Sequence, residues 1–252
     1  MAVVAPVPYT WTGFYIGGNI GYGWGSGSTS TTGVTVLGPI ALTPGNADLR
    51  PHGWFSGLQA GYNWQIGPSW LVGLETDFQF SDIKGSTSCL VVCGTALPPL
   101  FFTSYSNFSV TDRMNWFGTV RGRVGYVAGP ALLYFTGGLA YAEVERVASL
   151  TGLNTLLTNT FVGQFDNTTT KVGWTIGGGV EAKLAGVWSA WTVKAEYLYI
   201  DLRDFSDPLN EVYVTFPFPG ASRTVTSTVR ENIFRLGLNY KFGSYYTPVV
   251  TK

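Results

Sequence analysis

One histidine, two cysteines and two methionines in 252 residues leave little material for metal-centred or acid–base chemistry. Charge is scarce as well, at 12% of the chain and summing to a formal net charge of zero, where an ordinary domain carries about 25%. Lys and Arg form no basic run that could track phosphates, which argues against a nucleic-acid partner. Long apolar stretches are also missing. Nothing approaches the ~18 consecutive apolar residues of a membrane-spanning helix, although the mean hydropathy of +0.16 is high for a water-soluble chain. A greasy chain without a helical span leaves a soluble β-sandwich or a membrane β-barrel. The opening MAVVAPVPYT lacks the basic start and apolar core of a secretory signal, so it reads as the start of a mature, exported chain.

What the chain does have is glycine, 33 residues of it, and aromatics at 15%. They fall into a period-two pattern, the mark of strands with two different faces. Phe14, Ile16, Ile20, Tyr22 and Trp24 share one face, opposite Tyr15, Gly17, Asn19 and Gly21. The same alternation predicts strands over 53–66, 70–80, 113–126, 133–141, 171–184, 191–199 and 234–242. In the fourth of these eight runs Met114, Trp116, Val120, Val124 and Tyr126 are expected on one face. Tight turns at Gly67-Pro68-Ser69 and Ala128-Gly129-Pro130 separate some strands by only a few residues. The remaining links run to roughly 30 residues, far beyond a hairpin, and are rich in Ser, Thr, Gly, Asn and Pro. Short turns on one rim and long loops on the other are the plan of bacterial outer-membrane barrels. The expectation is an all-β, eight-stranded antiparallel up-and-down transmembrane β-barrel, with four long extracellular loops and three short periplasmic turns.

The faces identify the solvent. The apolar face of these runs holds no Asp, Glu, Lys or Arg; charges within the strands lie on the opposite, Gly-rich face. A soluble barrel needs the reverse, so the apolar band faces hydrocarbon and the polar face lines a lumen. The band ends in aromatics. Trp64, Trp70, Tyr126, Trp191, Tyr240 and Phe242 fall near the short-turn rim, and Trp24, Trp54, Trp116 and Trp174 near the long-loop rim. Such residues suit both membrane–water boundaries; strands also favour aromatics for their own sake. Inside, Glu75, Asp77, Glu181 and Glu196 face Arg121, Arg123, Lys183, Lys194 and Arg235, four acids against five bases. Eight strands leave room only for side chains to fill the interior, which points to a salt-bridged plug. A narrow charged pore is the alternative reading.

Chemistry beyond this is thin. His52 sits near the outer rim beside Asp48, and a rim histidine in a loop carries no catalytic constellation; no catalytic residue, metal site or cofactor is expected. Cys89 and Cys93, in CLVVC, lack the second pair or nearby His of a zinc site. They read as a small disulfide or as two free thiols. The clusters Gly17-Gly18 and Gly177-Gly178-Gly179 lie inside strands, so they cradle no phosphate and are read as making room for lumenal side chains.

The segments WTGFYIGGNIGYGWG (11–25), GWFSGLQAGYNWQ (53–65), VKAEYLYIDL (193–202) and IFRLGLNYKF (233–242) together resemble the small opacity-protein-like outer-membrane barrels of the porin superfamily, and more narrowly those of alphaproteobacteria. The resemblance implies a surface antigen of the Gram-negative cell envelope that supports envelope integrity, located in the outer membrane. It implies contact with outer-membrane lipid and lipopolysaccharide, and with the barrel-assembly machinery, which in such proteins reads the aromatic of the last strand. Here residues 243–252 follow Phe242, a departure from that ending. The chain thus divides into a periplasmic segment 1–10, a barrel 11–242 and a periplasmic tail 243–252 that could touch peptidoglycan. The main expectation is a non-enzymatic structural barrel with a plugged lumen. A narrow small-solute porin and loop-mediated binding of haemin or a host surface are the competing readings, and one His with no Met-rich or Tyr-rich loop cluster disfavours haemin.

Overall fold

A strand that meets hydrocarbon on one side and packed side chains on the other needs apolar residues at every second position. Eight long strands follow from that pattern: β1 (Gly13–Thr35), β2 (His52–Ile66), β3 (Trp70–Val92), β4 (Ser104–Ala128), β5 (Ala131–Asn154), β6 (Asn159–Lys183), β7 (Trp191–Asn210) and β8 (Ser222–Lys241). The computed structural model describes residues 10–35, 38–41, 47–92, 96–97, 100–101, 104–154, 159–210, 212–213 and 222–242. Each strand pairs antiparallel with the next, and β8 returns to pair with β1, so the sheet has no free edge through the apolar band.

The register gives the barrel its stagger. Stepping between paired residues from Ile16 through Ala60, Thr76, Val120, Leu139, Trp174, Asp201 and Arg230 leads back to β1 at Ser26, ten residues beyond the start. A closed sheet must shear in this way because its strands tilt against the barrel axis, typically by about 35–45°.

Three connections are short: residues 67–69, 129–130 and 184–190, the last holding a single 3₁₀ turn, Gly186–Trp188. Gly67 and Gly129 sit at φ 67° and 61°, a left-handed conformation that glycine adopts without a Cβ penalty.

The opposite rim differs from the sequence reading. β1, β3, β5 and β7 do not end near Trp24, Phe80, Tyr141 and Tyr199 but run on to Thr35, Val92, Asn154 and Asn210. β4 and β6 reach 25 residues each, against the roughly 9–11 that cross a bilayer. The long connections are therefore largely paired ribbons that continue the barrel outward. Gly38–Ala41 and Ala47–Leu49 add to β1, Val212–Tyr213 adds to β6, and Ala96–Leu97 pairs with Leu100–Phe101. Beyond the apolar band hydrocarbon no longer selects the outer face, so the alternation fades in the sequence while the backbone ladder persists and inward residues such as Val110, Val144 and Ala148 stay buried.

Pairing slips at three places along the outer end of the band: between Phe80 and Ile83, between Met114 and Trp116, and between Asp201 and Asp204. The second slip overturns one assignment. An extra residue in β4 shifts the alternation, so Met114 turns into the barrel and is 4% exposed, while Trp116 stays outside.

Candidate functional site

The lumen is filled in layers. At the foot, beside the short turns, Trp11, Leu71, Leu132 and Tyr134 form an apolar floor. Above it lie Glu75 and Asp77 from β3, Arg121 and Arg123 from β4, Glu181 from β6, Lys194 and Glu196 from β7 and Arg235 from β8, none more than 3% exposed. They come together because β-strands present every second side chain to one face, and the register sets Glu75 beside Arg121, Glu181 beside Lys194 and Glu196 beside Arg235.

Glu75 is the hub. Its Oε1 accepts from Arg121 Nη2 at 2.5 Å, Lys194 Nζ at 2.8 Å and Arg235 Nη2 at 3.3 Å. Its Oε2 accepts from the Tyr15 hydroxyl at 2.6 Å and Arg123 Nη1 at 3.5 Å. Asp77 Oδ2 is held by Thr119 Oγ1 at 2.7 Å, Arg235 Nη2 at 3.0 Å and Arg121 Nη2 at 3.1 Å. Glu196 takes Arg235 Nε at 2.6 Å and the Tyr134 hydroxyl at 2.9 Å. Glu181 takes Thr192 Oγ1 at 2.5 Å, Asn239 Nδ2 at 3.0 Å and Arg123 Nη1 at 3.2 Å. The Arg123 guanidinium also lies over the rings of Tyr15 and Tyr134, at 4.7 and 5.4 Å, a cation–π placement.

The fifth base expected in this set, Lys183, is only half-buried, at the foot of β6 near Lys241, and is not one of the eight fully buried members. The packed set is therefore four acids against four bases. A buried charge is tolerable only when paired and hydrogen-bonded, and an even count meets that condition for the layer as a whole.

Sequence reasoning missed the next layer. Phe55, Ile83, Met114, Phe117, Val144, Leu198, Ile200, Leu202, Val229 and Ile233 form an apolar cluster inside the outer half of the barrel. The signal was present as runs that are apolar on both faces: Trp54-Phe55, Trp116-Phe117, Tyr197-Leu198-Tyr199-Ile200 and Ile233-Phe234. A bidentate pair closes this layer from above, with Arg146 Nε and Nη2 each donating to an Asp112 carboxylate oxygen at 2.7 Å. Beside it a chamber of about 20 Å³ is lined by Gly27, Leu49, Ile83, Met114 and Glu231. Glu231 is 1% exposed, and neither carboxylate oxygen has a hydrogen-bond partner among the described residues.

Outside, the aromatic residues stand where the boundaries of an apolar band fall. Trp70–Tyr126, Trp191–Tyr240 and Tyr240–Phe242 pair edge to face at the short-turn rim, with Trp64 against Tyr62. Trp54 against Tyr22, Trp116 against Tyr141, Trp174 against Tyr199 and Trp24 against Tyr197 mark the other rim. His52 is exposed there, its Nδ1 3.0 Å from the Arg50 carbonyl oxygen. The pairing of Cys89 with Cys93 and the tail 243–252 lie outside the described residues.

The glycine clusters divide by face. At inward Gly17 a Cβ would meet Asn239 Oδ1 at 2.1 Å, and at Gly179 the Tyr134 hydroxyl at 2.7 Å, so these two do make room for lumenal side chains. Gly18 and Gly178, read the same way from the sequence, face outward instead.

The family model described as "Outer membrane protein beta-barrel domain" matches residues 1–242. The chain is 37% identical over 240 residues to the 31 kDa outer-membrane immunogenic protein of Brucella melitensis biotype 1, covering 94% of this chain and 87% of that one. It is 29% identical over 239 residues to the 25 kDa outer-membrane immunogenic protein of the same organism, covering 95% and 82%. To the 22 kDa outer membrane protein of Rhizobium leguminosarum bv. viciae it is 28% identical over 233 residues, covering 92% and 79%. An apolar girth, aromatic boundaries, a closed ladder and these relatives agree: the chain belongs to the outer-membrane protein β-barrel domain family and resides in the bacterial outer membrane.

Proposed function

We propose that this protein is a sealed, non-enzymatic envelope barrel, anchored by its lipid-facing band and presenting its four ribbons to the exterior. The observation that carries the reading is the filled cross-section: a charge-balanced ionic layer, at most 3% exposed, between two apolar layers. A conducting path would have to break ion pairs below and desolvate any passing ion above, each at a cost of several kcal/mol. That the Brucella relatives are named outer-membrane immunogenic proteins supports exposure of the ribbons at the cell surface.

The test is single-channel recording of the refolded protein in a planar bilayer, with heat-dependent gel migration as proof of folding. A folded barrel that inserts without steady conductance supports the proposal. Steady, ion-selective steps refute it and make the protein a small porin.

A further inference from the structure

The lipid-facing surface is not uniform. A groove of about 1080 Å³ crosses it diagonally, with Gly18 of β1, Ala60 of β2 and Thr76 of β3 as its floor. Phe78 and Tyr141 bound it at one end, Trp191 and Tyr240 at the other. The Thr76 hydroxyl donates to the Thr119 carbonyl oxygen at 3.1 Å, so a floor residue's polar atom is already satisfied, as hydrocarbon requires.

Gly18 is the telling residue. Glycine inside a strand forfeits packing and conformational entropy, and it commonly marks the close approach of a ligand or another backbone. The inward glycines have a reason within the chain: a Cβ at Gly17 or Gly57 would lie 2.1 Å from another atom. A Cβ at Gly18 would meet nothing nearer than the Gly57 carbonyl oxygen at 3.7 Å. No neighbour among the described residues needs the space left open there; the same holds at Gly122, but only Gly18 lies in the floor of the groove.

We propose that the groove retains one membrane lipid, an acyl chain of a periplasmic-leaflet phospholipid lying on Gly18, Ala60 and Thr76. The surface is continuous with the band that faces hydrocarbon, so acyl chains are what surround it. A second copy fits poorly: a two-fold contact sets the same patch against itself, and two concave floors facing each other enclose a void. The leaflet follows from the lower end, where Trp191 and Tyr240 stack edge to face at 5.2 Å on the short-turn rim, the depth at which such rings meet lipid headgroups.

The groove can be filled without disturbing the fold. Gly18→Leu and Ala60→Leu place apolar atoms in open space, and Gly122→Leu is the matched control, an outward glycine where a Cβ would lie 4.0 Å from its nearest neighbour. The full chain is refolded into vesicles of palmitoyl-oleoyl phosphatidylethanolamine with lipid A, released, and weighed by native mass spectrometry after gel migration has shown each variant folded. The expected result is one phosphatidylethanolamine on wild type and Gly122→Leu that survives activation, reduced at least fivefold in Gly18→Leu and Ala60→Leu. Equal retention in all four proteins, retention by none, lipid A in place of the phospholipid, or a mass of two chains that the filling variants abolish would each overturn it. The last outcome would assign the groove to self-association.

Discussion

Two glutamates inside the same barrel have opposite energetic meaning. Glu75 receives hydrogen bonds from Arg121, Arg123, Lys194, Arg235 and Tyr15. Breaking a buried ion pair by removing one partner typically costs about 3–5 kcal/mol, and here four cations lose one of their anions together, leaving four bases to three acids. Glu75→Ala is expected to lower stability by at least that amount, read as the urea midpoint of refolding into vesicles. Glu231 is equally sealed but has no hydrogen-bond partner for either oxygen among the described residues. Replacing an unsatisfied buried polar group removes a desolvation penalty of about 1–3 kcal/mol. Glu231→Leu should therefore raise the midpoint, and a drop would show that the carboxylate is doing more than filling space. Pairing decides the sign, not residue type.

At the level of strands, the legible part of the fold is the part the membrane touches. Eight runs could be counted because outward residues such as Ile20, Leu58, Leu74 and Leu139 are selected by hydrocarbon while their neighbours face the lumen. The ionic layer was legible for the same reason: charges fell on one face of consecutive strands. The outer ribbons were not, because outside hydrocarbon the outer face is no longer held to apolar residues, and the alternation that betrays a strand is lost. The apolar layer was hidden by the opposite effect, since Phe117 and Ile233 blend into the apolar band beside Trp116 and Phe234. Met114 was misplaced because a bulge leaves no mark in hydrophobic periodicity. That bulge makes a distinctive prediction. Deleting Asn115, which lies at the slip, keeps every β4 side chain on its present face; refolded barrel should still form, at reduced stability through loss of its bonds to Glu143 and Glu145. Deleting Thr119, in regular pairing, reverses the faces on one side of the cut, and refolding should yield no heat-shifting band. Equal yields from the two deletions would contradict the assigned bulge.

The molecule as a whole is held by one closure. β8 pairs with β1 from Tyr15–Lys241 outward to Val34–Ser222. A chain ending at residue 221 would leave β1 and β7 with unpaired backbone groups in hydrocarbon, each costing several kcal/mol. Such a truncation is expected to give no heat-resistant compact species on gels, although seven strands remain; a compact, protease-resistant product would mean that the ladder tolerates an open edge. The closure also orders events in time. The first strand to be synthesised completes its pairing with the last, across most of the sequence, and contacts of such long range are slow to form. Until β8 arrives, β1 carries an exposed edge, the template on which stray chains aggregate. The barrel therefore closes only once β8 has been made, and whatever shelters β1 in the interval governs how many chains become barrels.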